Sequence, residues 1–420
     1  MDPTLPVVPH PPVPAPAPLR KPEPPLKLLA ASPELAVAAA WKKDPWKLFF
    51  PLGLVLAWAG VLPWLLVGIG VGAAYLPAYH SLVQVQGFLI CFALGFLFTF
   101  LPRRTGTAPP ATWELVVCLA GPALLAVCAL AGAWLLAQVC WLVTLGTLAR
   151  FALQRARTAR AKNQLPPAFL WVAMGLAWGV LGSLFIAAGP WLPARLGLLF
   201  EVGRTLVLQG VFTGMVLGTG AFLVPAITRG TDPSRVAAGA PYRSALLRHA
   251  VGCALWTAAA FIEPLFDLRL GFALRGLLAL WVVAGTMQLW RRPSMPGLHR
   301  WLVWVAAWLL PAGSLIVAAA PGLRLLGLHV TFIGCFALLV LSVGAHISLS
   351  HGGRPSLLST SPWQHVAVAA LLFLALGARA VLDVAPSQLW FALAAAGFLA
   401  ATLAWATLAL LPQKRQGTAP

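Results

Sequence analysis

Charge is what this sequence lacks most. Only 9% of its 420 residues are Asp, Glu, Lys or Arg, against roughly 25% in a soluble globular protein. Beside a hydrophobic content of 60%, that deficit excludes a water-soluble domain as the bulk of the chain. Acids are scarcest, ten in all, and within or near the apolar segments they reduce to Glu114, Glu201, Glu263, Asp267 and Asp383. No ladder of carboxylates crosses those segments, which argues against a proton-driven pump. There is no CxxC among the six cysteines. Scattered through apolar segments, they read as small core residues rather than metal ligands. The N-terminus lacks the apolar core of a signal peptide. Residues 1–44 include the proline-rich run PHPPVPAPAPLRKPEPP and are expected to form an extended, disordered tail. Residues 32–41 add a candidate interfacial helix.

What is present in abundance is apolar sequence in runs of about 20 residues, the length needed to cross a bilayer as a helix. Twelve such runs fall at residues 48–72, 81–101, 114–131, 133–150, 168–188, 204–226, 247–263, 270–290, 301–319, 325–347, 363–383 and 387–411. The fold class is therefore all-α: a polytopic membrane domain of about twelve helices over residues 45–412, with 413–420 as a short tail. The net charge of +19 is carried in the loops. With a cytoplasmic N-terminus, 23 of the 29 Lys and Arg residues lie on the cytoplasmic side, and only Arg195, Arg269, Arg324 and Arg379 lie opposite. That asymmetry places both termini in the cytoplasm of a bacterial-type inner membrane. The partner is then the lipid bilayer and not nucleic acid; no residue points to a protein partner.

The second and sixth runs echo one another. Gln86-Gly87, Leu94-Gly95 and Pro102 recur as Gln209-Gly210, Leu217-Gly218 and Pro225, each offset by 123 positions. Ile333-Gly334 stands in the corresponding region of the tenth run. The pattern suggests three parallel four-helix units around an axis along the membrane normal, as in the catalytic subunit of haem-copper oxidases.

The chemistry rests on histidine, a common ligand of haem iron and copper. Residues 328–355, LHVTFIGCFALLVLSVGAHISLSHGGRP, carry His329, His346 and His351 on one helix and its exit loop. Seventeen residues separate His329 from His346, a rise of about 25 Å, so one metal cannot use both. His80 shares the outer depth of His329. His249 and His365 share the inner depth of His346 and His351. His10 in the tail and His299 in a basic loop are expected to face solvent. Each of these histidines also has a plainer reading, as a helix-end residue among lipid headgroups. Gly87, Gly95, Gly218 and Gly220 allow either close helix approach or room for a flat ligand.

Two stretches resemble a known family. One runs Phe50-Pro51-Leu52-Gly53, Tyr79-His80, Gly87-Phe88, Gly95-Phe96-Leu97, Thr99, Leu101-Pro102-Arg103 and Thr105-Gly106. The other is His329-Val330-Thr331-Phe332-Ile333-Gly334 with Ser348-Leu349-Ser350-His351-Gly352-Gly353-Arg354-Pro355. Both are similar to the motifs of the NnrS family of membrane haem-copper proteins linked to nitric oxide response. His80, His329, His351 and Arg354 match that pattern. Leu82 and Val83 stand where it carries a second histidine and a glutamate, and His346 where it carries an arginine. The resemblance implies bound haem, with copper as a second candidate, and nitric oxide or another small diatomic as ligand. His80, His329, His351 and Arg354 are the expected cofactor-binding residues, with Arg354 suited to a propionate. The metal candidates are His80, His329, His346, His351, His249 and His365.

No catalytic motif is identified, so whether the protein is an enzyme stays open. A haem-copper nitric oxide reductase or oxidase is one alternative, although no His-His doublet occurs on a middle helix. A cofactor-free secondary transporter is the other, suggested by helices that Pro63, Pro122 and Pro264 would break.

Overall fold

A backbone in hydrocarbon must satisfy its own hydrogen bonds, so each apolar run closes into a helix. The computed structural model describes residues 40–71, 76–159, 164–191, 193 and 196–410. Most of the expected tail, the candidate interfacial helix up to residue 39 and the segment 413–420 lie outside them. The structure is 84% helical, and among the described residues no strand occurs.

Among the described residues, twelve helices are long and apolar enough to cross a membrane. We label them α1 (Trp46–Gly68), α2 (Pro77–Thr105), α3 (Thr112–Leu130), α4 (Trp134–Thr158), α5 (Pro167–Trp191), α6 (Leu198–Arg229), α7 (Ala240–Leu265), α8 (Leu268–Thr286), α9 (Leu298–Ala319), α10 (Pro321–His351), α11 (Trp363–Leu382) and α12 (Gln388–Ala409). α2 and α6 end alike, with proline in the last turns and a left-handed glycine beyond, Gly106 at φ +68° and Gly230 at φ +70°. Glycine takes that conformation at no steric cost, and it caps the orphan carbonyls.

Consecutive helices pack side by side, and α12 packs back on α1 to close the ring. Three helices sit inside it: the hydrophobic windows of α2, α6 and α10 are 94%, 78% and 67% buried, against 33–50% elsewhere. They meet through Phe100–Phe222 (5.1 Å) and Phe212–Phe336 (5.2 Å). A small apolar cavity of about 60 Å³ lies among Phe92, Phe212, Met215, Leu339 and Val343.

Each inner helix also contains a π-helical segment: Val83–Leu89 in α2, Leu206–Gly210 in α6 and Val330–Ala337 in α10. Gln86-Gly87, Gln209-Gly210 and Ile333-Gly334 all fall inside these segments. Such segments are rare and concentrate at functional sites.

One expectation needs correction. Pro63 and Pro122 lie inside continuous helices, and Pro264 lies in the last turn of α7. No broken helix therefore surrounds them, and the feature that suggested a transporter is not found there. At Gly87, Gly95, Gly218 and Gly220 the space beside the glycine is filled by Leu56, Phe50, Val172 and Met287. These glycines serve helix contact, one of the two readings the sequence allowed. Small residues do the same at Gly182–Gly203 and Gly313–Gly327, where an added Cβ would meet the partner's carbonyl at 2.6–2.7 Å.

A buried charge cluster ties α6, α7, α8 and α10 together. The Glu263 carboxylate accepts from Arg275 at 2.5 Å and Arg324 at 2.7 Å, and Thr205 donates to it at 3.3 Å. Arg275 also donates to Gln209 in the α6 π segment at 3.2 Å. Near the other end of the bundle, Glu114 of α3 accepts from Arg150 and Arg155 of α4 at 3.0 and 3.4 Å.

The charge asymmetry sets an expected topology. Reporter fusions after Thr107 and after Gly230 should read cytoplasmic, and one after Ala78 external. An external reading after Gly230 would break the scheme.

Candidate functional site

The histidines collect at two levels. At the outer level, His80 on the first turn of α2 donates from Nδ1 to the Gly60 carbonyl of α1 at 2.9 Å. His329 donates from Nδ1 to the Leu325 carbonyl, one turn back on α10, at 2.8 Å. A carbonyl only accepts, so Nδ1 carries the proton in both rings and Nε2 keeps its lone pair. Neither Nε2 has a protein hydrogen-bond partner among the described residues. Trp64 meets His80 edge-on at 5.5 Å and stacks on Phe391 at 5.6 Å. His329 immediately precedes the π segment of α10, and His80 stands three residues before that of α2.

At the inner level the structure gathers a set that the sequence did not indicate. His299 is fully buried at the start of α9, which corrects its assignment to an exposed loop. Its Nε2 lies 3.1 Å from Nδ1 of His346. Its ring centroid is 5.3 Å from those of both His346 and His365. The signal was available: His299, Val303, Ala306 and Leu310 recur at helical spacing and all are buried. A face read back from the apolar run reaches His299.

The other inner candidates sit apart. His249 accepts from the Trp171 indole at 3.2 Å and packs on Trp281, so its Nδ1 lone pair is taken. The His351 ring accepts from Arg103, whose other guanidinium nitrogen holds the Lys43 carbonyl and Asp44 at 3.0 and 2.9 Å. Burial raises the Asp44 pKa, but Lys47 and Arg103 outweigh it and hold the carboxyl below its ordinary value. That contact therefore persists at neutral pH and weakens only as pH falls through the lowered value. Arg354 donates to the Ala409 carbonyl at 3.4 Å.

Room for a cofactor is a separate matter. Two cavities in the structure measure about 150 and 60 Å³, and neither is lined by a histidine. Sites for small molecules and cofactors span about 300–1,000 Å³. The donor chemistry of His80 and His329 fits an axial haem ligand; an enclosed haem-sized pocket is not among these cavities. Among the described residues, no set of three or more His, Cys, Asp or Glu side chains is already arranged to hold a metal ion.

Apolar helices of membrane-crossing length, with histidines at two depths, define a multi-pass membrane protein. The family described as NnrS protein matches residues 40–412, and the chain belongs to the NnrS family. No curated protein matches it.

Proposed function

We propose that this membrane protein binds haem through His80 and His329 and serves in the response to nitric oxide. The observation that carries the reading is that both imidazoles are held by Nδ1 on backbone carbonyls with Nε2 left over. Ligating histidines are held this way, because the second hydrogen bond fixes tautomer and ring orientation. The bound haem would supply an iron that takes a diatomic ligand. The chain's own residues position the rings, and Trp64 with Phe391 keeps one side of His80 apolar. Arg379, paired with Asp383 at 2.7 Å, supplies a cation near His329 suited to a carboxylate.

The test is an absorption spectrum of the purified full chain, with and without nitric oxide. A Soret band that shifts on nitric oxide addition is expected. Its absence in protein isolated from haem-replete cells removes the reading. Sustained consumption of nitric oxide under a reductant would make the protein an enzyme rather than a binder.

A further inference from the structure

We propose that the cavity of about 150 Å³ at the ends of α2, α5 and α7 binds a phosphate group. Arg104 reaches it from the last turn of α2, Pro167 opens α5 at its edge, and Tyr242 stands in the first turn of α7. Gln164 and Arg235 come from the connecting segments, and both are exposed. The wall is held in place. The Tyr242 hydroxyl donates to the Leu165 carbonyl at 3.1 Å, and the rings of Pro166 and Pro167 fix the backbone beside it. No histidine lines the cavity, so the site does not rest on the haem reading.

The charge of the lining is one-sided: two guanidiniums, Arg104 and Arg235, and no carboxylate. Asp232 stands beside them but is largely taken. It accepts from Nε of Arg235 at 2.9 Å and from the Ser234 hydroxyl. Arg104 comes only within 3.7 Å of it, longer than a hydrogen bond. The Arg104 side chain is 15% exposed and lies over the Phe222 ring at 5.5 Å. Its Nε is buried with no hydrogen-bond partner among the described residues. Buried polar groups are rarely left this way, since each forfeits its hydration. A guanidinium offers donors only, so what completes Arg104 is an acceptor, and its charge favours an oxyanion.

Size and charge select the anion. One water needs about 10–15 Å³ of cavity, so about 150 Å³ admits a tetrahedral oxyanion with part of its hydration. Sites that enclose a whole small molecule span about 300–1,000 Å³, so a nucleotide does not fit inside. A phosphate monoester carries a charge of about −1.5 to −2 at neutral pH, which answers two guanidiniums; a carboxylate answers one. The planar fork of arginine also matches phosphate oxygens. Two sources offer this chemistry. Helix ends on a spanning bundle stand at the level of lipid headgroups, and inorganic phosphate is the soluble alternative.

The experiment has two arms, both on the purified, delipidated full chain in zwitterionic detergent. Equilibrium dialysis measures radiolabelled inorganic phosphate, with acetate as competitor. Native mass spectrometry measures phosphatidic acid against phosphatidylcholine. One saturable equivalent that acetate does not displace is expected. Inorganic phosphate bound alone assigns the free ion; phosphatidic acid bound alone, or displacing phosphate, assigns the lipid. Arg104→Gln should weaken binding at least about tenfold, the usual loss for a charge-assisted hydrogen bond. Arg235 is 63% exposed, so Arg235→Gln keeps the test open should Arg104→Gln fail to fold. Asp232→Asn removes the competing carboxylate and keeps an oxygen for Ser234; it should tighten binding about twofold to fivefold. Arg204→Gln, in an exposed pair elsewhere, should change nothing. No saturable binding in either arm, binding kept in both Arg104→Gln and Arg235→Gln, or weaker binding in Asp232→Asn would overturn the proposal.

Discussion

Glu263→Ala is expected to destabilise the folded protein by about 3–5 kcal/mol, the usual consequence of removing one partner from a buried ion pair. Glu263 is 8% exposed and Arg275 is 2% exposed. Removing the carboxylate leaves a guanidinium buried without a counter-charge, its hydrogen bonds going to Gln209 and the Gly271 carbonyl. Arg324 loses its 2.7 Å contact as well. Four helices share the cluster, so the loss acts on packing between them rather than on one helix. An SDS unfolding titration followed by tryptophan fluorescence measures it. The comparison is Glu201→Ala, which breaks an exposed pair with Arg204 at 3.2 Å and should cost about 0–1 kcal/mol. Adding Arg275→Met to Glu263→Ala should recover much of the loss, because the buried charge goes with it. Equal effects from Glu263→Ala and Glu201→Ala would show that the cluster does not hold the fold.

The double variant His80→Ala, His329→Ala should lose bound haem entirely while the protein still inserts. Each single variant should retain at most about a tenth of the wild-type haem content. The reason is directional. An alanine has no nitrogen to offer, and no other described histidine shares that depth, since the seventeen residues to His346 carry the helix about 25 Å away. Haem per polypeptide, measured as the pyridine haemochrome, gives the readout. Membrane-fraction yield reports insertion. An unchanged spectrum in the double variant would move haem ligation elsewhere.

Much of this was legible in one dimension. Twelve spans follow from the length and apolarity of local runs, which no tertiary contact needs to confirm, because lipid forces each run to close its own hydrogen bonds. The helix ends are less legible. α2, α6 and α10 reach 29, 32 and 31 residues, longer than the apolar runs that announced them. They are covered by other helices rather than by lipid, so polar residues at their ends find protein partners.

The shared depth of His80 and His329 was also within reach, because they sit at matching ends of matching helices. The inner set was not. Depth alone grouped His346 with His249, His351 and His365, but helices at one depth face different ways. His249 turned to Trp171 and His351 to Arg103, while His299, assigned to a loop, turned inward. Azimuth is set by packing, and the π segments of α2, α6 and α10 shift it further, since each interrupts the 3.6-residue period from which a face is read. The sequence by itself therefore determined how many times the chain crosses the membrane and at what depth each imidazole lies. Only the tertiary structure decided which imidazoles meet, because the rotation of each helix about its own axis is fixed by its neighbours.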